Sequence, residues 1–369
     1  MTPTKLWYRP FFALILLAII LLVWNPPAKL KSGIQLLLRE SATVRVNSGW
    51  EKLNFPQHAI CNLSPKEIAE LYAKTEEGMR APLKSYKKTT DGALRIIGTG
   101  HSFMRPGYKT LPSIAHAAGF KQPPLFTHTG GGVTGSARYK WEEENGIYGF
   151  EEKPVPKLLA SIANSEWDLM MWGPYFRDRP AYYLCWMNFC LKYNPQMRFY
   201  LSDAWPQLGQ FGAIPSSETQ ISFESIAKKG RERNALFQKL INSLNRSYPG
   251  KAFILPTSDA MVLAVKYYKQ GKLPGVQGLH QLIGNKKRSL WKDRLGHLGP
   301  GFGDLEGYVF YSALYGRSPE LIKSDFRPDM NQPFPSKELD QVFREIAWIA
   351  VTQNPLSGVT DKDNNGLAD

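Results

Sequence analysis

From Ala93 onward the chain alternates short apolar runs with longer helix-spaced ones, the pattern of a helix-covered parallel sheet. Ile96 and Ile97, followed by Gly98-Thr99-Gly100, read as a buried strand ending at Ser102, and helical spacing follows from Tyr108 to Ala118. Further strands are expected around Pro124–Thr129, Trp167–Trp172, Met197–Leu201 and Ala252–Leu255. Helical runs fall at Ala181–Tyr193, Arg231–Asn245 and Asp304–Tyr315. Each strand closes on glycine, proline or a small polar residue: Gly130-Gly131-Gly132, Gly173-Pro174, Ser202-Asp203 and Pro256-Thr257. In a parallel sheet those ends share one edge, and ligands bind along it.

The flanks break this alternation. Lys5 and Arg9 precede an uncharged apolar run from Phe11 to Trp24, the form of a signal peptide or a short signal anchor over residues 1–25. Asn25-Pro26-Pro27 follows where a small-x-small cleavage site would stand. An uncleaved anchor with Trp24 at the membrane interface is therefore favoured, with the body extracytoplasmic, membrane-anchored or secreted. Residues 26–92 form an extension whose Ser64-Pro65-Lys66-Glu67 is a helix start. The main domain spans 93–325. In 326–369, Ser336 opens an amphipathic helix to Thr352 whose stripe (Leu339, Val342, Phe343, Ile346, Ile349) docks on that domain.

Composition narrows the partners. Basic residues exceed acidic ones by 14. The excess lies in separate clusters at Lys84–Lys88, Lys228–Arg233 and Lys286–Arg294, without zinc-finger spacing or an RNP-type aromatic motif, so no nucleic acid is expected. A basic surface facing an anionic envelope or polymer fits the charge as well. Cys61, Cys185 and Cys190 make no disulfide framework and read as buried thiols.

The chemistry centres on Ser102. A serine where a strand hands over to a helix has an exposed hydroxyl and backbone N–H groups beside it to hold an oxyanion. Its proton needs a base, and an imidazole base needs a carboxylate to fix its tautomer. Asp293-Arg294-Leu295-Gly296-His297, a loop before the Asp304 helix, offers both. The tail also carries Asp361, Asp363 and Asn365 at the first oxygen positions of a calcium loop, with Gly366 at the sixth and Asp369 at the ninth. No counterpart of the carboxylate at position twelve follows, so a weak calcium site and a polar tail both fit; no other cofactor is required.

These residues resemble the SGNH, or GDSL-like, hydrolases, over about residues 93–320. Gly100-His101-Ser102 matches the first block of that family and Asp293 with His297 its last. The ending Tyr311-Ser312-Ala313-Leu314-Tyr315-Gly316-Arg317 is similar to that of bacterial extracytoplasmic members. The resemblance implies a flavodoxin-like three-layer α/β/α sandwich with a mostly parallel five-stranded sheet. It implies Ser102 as nucleophile, His297 as general base and then acid, Asp293 as orienting carboxylate, and oxyanion donors from Ser102 and the glycines Gly131 and Gly132. Two departures stand out. Asp293 and His297 are four apart instead of three, and Trp172-Gly173-Pro174-Tyr175 replaces the usual Gly-x-Asn-Asp. Losing the asparagine donor can cost roughly 3 kcal/mol, so Gly173, Tyr175 and Arg177 become the replacement candidates. His128 beside the glycines lines the pocket or caps the strand.

The expected activity is ester hydrolysis through an acyl-enzyme, on acyl or acetyl esters of carbohydrates. Trp141, Trp172, Tyr175, Trp186 and Trp205 are candidates to stack on sugar rings or to fill the core. A non-enzymatic carbohydrate-binding relative and an O-acyltransferase remain as alternatives. A nucleotide-binding reading of Gly98-Thr99-Gly100 lacks the third glycine, where Phe103 stands, and a P-loop lysine.

Overall fold

The computed structural model describes residues 89–129, 135–136, 138–139, 142, 157–174, 180–206, 215–323 and 334–369. All fall within one compact unit, Phe55–Asp369. The expected membrane segment, the Ser64 helix, Cys61, Gly130 to Gly132, Trp141, Tyr175 and Arg177 lie outside the described residues. Among the described residues no helix is long and apolar enough to cross a membrane.

The centre is a sheet of five strands, β1 (Ile96–Gly100), β2 (Phe126–Thr129), β3 (Leu169–Trp172), β4 (Arg198–Ser202) and β5 (Ala252–Leu255). Their order is β2-β1-β3-β4-β5, and every neighbouring pair is parallel. β1 and β3 are buried along their whole length, which is why both read as continuous apolar runs without polar alternation. Their residues nevertheless divide between two faces with period two. Ile96, Leu169, Met171 and Tyr200 join the core formed with α1 (Arg105–Ala117), α6 (Phe302–Tyr315) and α7 (Lys337–Gln353). On the other face Trp172 packs against Phe199, with ring centroids 5.0 Å apart, and against Tyr183 of α3 (Pro180–Tyr193), at 4.8 Å. With α2 (Lys157–Asn164) and α4 (Phe223–Ser247) this gives helix, sheet and helix layers, the expected α/β/α sandwich.

Some boundaries moved for physical reasons. α4 begins eight residues before the expected Arg231, because Ser222 caps it, its hydroxyl accepting the Ser225 N–H at 3.0 Å. α7 starts as expected behind Ser336, which accepts the Leu339 N–H at 3.3 Å. α1 has no side-chain cap of its own. Glu306 of α6 supplies one across the interface, its buried carboxyl accepting the Gly107 N–H at 2.8 Å. Burial raises the Glu306 pKa well above the ordinary value.

Four elements were not anticipated: α2, α5 (Thr257–Lys269) and a second parallel pair, β6 (Gly278–His280) with β7 (Ser289–Trp291). The residues after α7 are part of the domain. Leu356 accepts the Ile254 N–H of β5 at 2.9 Å, and Gly366 accepts the Ser318 N–H at 2.7 Å.

Candidate active site

β1 ends at Gly100, and the turn His101-Ser102-Phe103-Met104 leads into α1 at the carboxyl edge of the sheet. Ser102 is exposed there, while His101, Phe103 and Met104 are buried around it. β7 reaches the same place from another part of the chain and opens into the loop that carries Asp293 and His297. The Ser102 hydroxyl lies 2.7 Å from His297 Nε2, and His297 Nδ1 lies 2.7 Å from Asp293 Oδ2. With Nδ1–H donated to the carboxylate, Nε2 presents its lone pair to the serine proton.

The loop holds this geometry largely by itself. Asp293 Oδ1 accepts the N–H groups of Leu295 at 3.0 Å and His297 at 3.2 Å. Partial burial pushes the Asp293 carboxyl up, but the hydrogen bonds and charge of His297 and the N–H of Leu295 outweigh it and hold the pKa below the ordinary value. The Lys292 N–H closes the loop on the His297 carbonyl at 2.9 Å, and Gly296 adopts a left-handed φ of +83°. That turn accommodates the four-residue spacing of Asp293 and His297.

Residues from three other segments brace the pair, a role that sequence reasoning assigned to none of them, although Trp205 was singled out as an aromatic of the site mouth or core. Phe103 meets the His297 ring edge-on, centroids 5.2 Å apart, and stacks on Trp205 at 4.7 Å. Trp205 Nε1 donates to the Gly296 carbonyl at 2.8 Å. His280 Nε2 donates to the Asp293 carbonyl at 3.0 Å while its Nδ1 accepts the Leu282 N–H. Trp205 and His280 are distant in sequence, so only Phe103, beside the serine, carried a local signal.

His101 stabilises the nucleophile turn. Its Nδ1 accepts the Phe103 N–H at 3.3 Å, and its ring also hydrogen-bonds the Pro174 backbone, linking the turns after β1 and β3. Burial drives the imidazole pKa down to about 4, so it stays neutral. With the Phe103 N–H engaged, the Ser102 N–H is the donor of this turn with no acceptor among the described residues.

One expectation is corrected and one alternative is decided. The Gly173 N–H does not face an oxyanion; it donates to the Thr99 carbonyl at 2.8 Å as an extension of the β1–β3 ladder. Gly173 is required for a different reason, since a Cβ there would lie 2.4 Å from Met104 Sδ and 2.9 Å from Gly100 Cα. Of the two roles open to the tryptophans, Trp172, Trp186 and Trp205 take the core one: all three are fully buried and none can stack on a sugar ring.

His128 stands half-buried on β2, in register with Thr99, with Nε2 3.2 Å from Arg138 Nη1. Arg138 is itself paired with the buried Glu142 at 2.9 Å. Cys185 and Cys190 are buried free thiols, as expected. In the tail, Asp361 accepts the Trp348 indole N–H at 2.9 Å and the Gly366 N–H at 3.1 Å. Asp363 accepts the Asn365 N–H at 3.2 Å, and Asn365 accepts the Leu367 N–H at 2.8 Å. These side-chain oxygens thus hold the tail's own turn through N–H donors. Among the described residues no group of three or more His, Cys, Asp and Glu side chains forms a metal site.

No family model matches the chain, and no curated protein matches it. Among solved structures it is similar to a DUF4886 family protein from Bacteroides uniformis, at 13% sequence identity and a TM-score of 0.45, over 70% of this chain and 95% of that one.

Proposed function

We propose that the protein is a serine esterase of the SGNH type, cleaving acyl esters through a covalent acyl-enzyme. The observation that carries this reading is the unbroken chain of contacts from Asp293 through His297 to an exposed Ser102, each link 2.7 Å long. Ser102 attacks the ester carbonyl as His297 Nε2 takes its proton, and the Ser102 N–H meets the charge that develops on the carbonyl oxygen. His297 returns the proton to the departing alcohol. Water, deprotonated by the same imidazole, then releases the acid and restores the hydroxyl. Asp293 keeps Nδ1 protonated and stabilises the transient imidazolium.

The test is turnover of p-nitrophenyl acetate by the full-length protein beside Ser102→Ala. Loss of about 10³-fold or more in kcat/KM is expected, together with fluorophosphonate labelling of the parent that the variant lacks. Equal turnover and equal labelling would overturn the reading.

A further inference from the structure

Exposed basic residues neighbour the candidate-site residues along the chain, and no described carboxylate pairs with them. Lys292 and Arg294 flank Asp293 in the chain, and Arg105 follows Ser102 by three residues; all are exposed and none has a carboxylate partner. Asp293 is committed to His297. At the other end of β7, Lys287 and Arg288 are equally exposed and unpaired. They line a hollow of about 580 Å³ with Gln277, Gly284, Asn285 and Lys286. Lys286 alone is satisfied there, by Glu218 at 3.0 Å.

Gly284 and Asn285 adopt left-handed φ values of +76° and +52°, shaping the turn before β7. Arg288 is anchored from behind, its N–H on the Gln277 side chain at 3.1 Å and its guanidinium over the Phe334 ring at 5.6 Å. Arg288 immediately precedes β7 and Lys292 immediately follows it, so strand rise alone separates them by about 13 Å. That is farther than one sugar ring reaches. Clustered cations without counter-charges repel one another, and a polyvalent anion relieves that repulsion.

Building on the esterase reading, we propose that the substrate is an acylated anionic polysaccharide, with its ester at Ser102 and a negatively charged repeat in the hollow lined by Lys287 and Arg288. Cations spread over that span match a chain with repeated charges better than a single anion. The anion can be a uronate carboxylate or a backbone phosphate, and both satisfy the same cations.

Binding of full-length Ser102→Ala to polygalacturonate, to poly(glycerol phosphate) and to neutral dextran tests this by calorimetry. One of the polyanions is expected to bind at least tenfold more tightly than dextran, and the tighter one identifies the source of the anion. That affinity should fall at least tenfold between 50 and 300 mM NaCl, as screening requires. Adding Lys287→Glu and Arg288→Glu should remove the preference, with an unchanged thermal melt showing that the fold survives. The salt dependence stands by itself if that variant does not fold. Equal binding to dextran, salt-insensitive binding, or binding only to phosphatidylglycerol vesicles would overturn the proposal. Parent turnover of p-nitrophenyl acetate separates the two readings. Turnover without a polyanion preference sinks only the polymer surface, whereas absent turnover and labelling sink the esterase.

Discussion

The two loops that meet at Ser102 are held by different means. The nucleophile turn is clamped by packing: His101, Phe103 and Met104 are buried, and the β3 turn leaves space beside it only for a glycine at 173. The Asp293–His297 loop is partly exposed and holds its shape through hydrogen bonds within itself, aided by Trp205 and His280. Damage to the first should therefore register as lost stability, and damage to the second as lost chemistry in a folded protein.

The largest effect should come from the hydrogen-bonded loop. Asp293→Asn presents the wrong partner to Nδ1 and should lower kcat/KM on p-nitrophenyl acetate by about 10³- to 10⁴-fold. A midpoint of urea unfolding close to that of the parent would show that the loop is not a structural support; a large shift would break the contrast. Gly173→Ala should do the reverse, destabilising by about 1 to 3 kcal/mol in urea melts because its Cβ presses on Gly100 backbone as well as Met104.

Acid sharpens the same division. The packed turn carries the acid-sensitive group, the buried imidazole of His101. Stability therefore depends on pH through His101. Its folded pKa of about 4 lies below the ordinary histidine value near 6.5, so between those values the unfolded chain binds a proton that the folded chain refuses. Stability is fully present above that window and is lost as pH falls through it, by about 3 kcal/mol at most. Urea melts at pH 7 and pH 4.5 measure the slope. His101→Asn should flatten it, because an Asn carbonyl accepts the N–H two residues on as the imidazole does. His101→Ala should leave that N–H unpaired and cost about 1 to 2 kcal/mol at pH 7. The smallest effect belongs to Leu295→Ser. Leu295 is 62% exposed at the tip of the triad loop, so its replacement should move stability by less than about 0.5 kcal/mol.

Much of the sheet was legible because β1, β3, β4 and β5 are short apolar runs closed by residues that permit a turn. β6 and β7 were not, since three residues are too few to show a period. α5 was missed although it directly follows β5, and its cap is remote. Asp203 at the end of β4 accepts the Ser258 N–H at 2.7 Å, a pairing invisible along the chain. The serine, histidine and aspartate were readable as residue types in order, but the means of holding them were not. Phe103 against Trp205, and His280 against Asp293, are contacts between segments that no local pattern connects. The tryptophans show the opposite limit. Strand ends place Trp172 and Trp205 at the right edge of the sheet, yet only three-dimensional packing shows that their rings point inward.

The hydrogen bond from Ile254 to Leu356 has a consequence for how the protein behaves at high concentration. A parallel sheet ends in strands whose unpaired amides invite a second molecule to add its own strand. The Leu356 carbonyl takes the Ile254 N–H on the side of β5 away from β4, so that amide is satisfied within the chain. One fewer free amide on that edge leaves less backbone for a second molecule to pair with, whatever Ser102 acts upon.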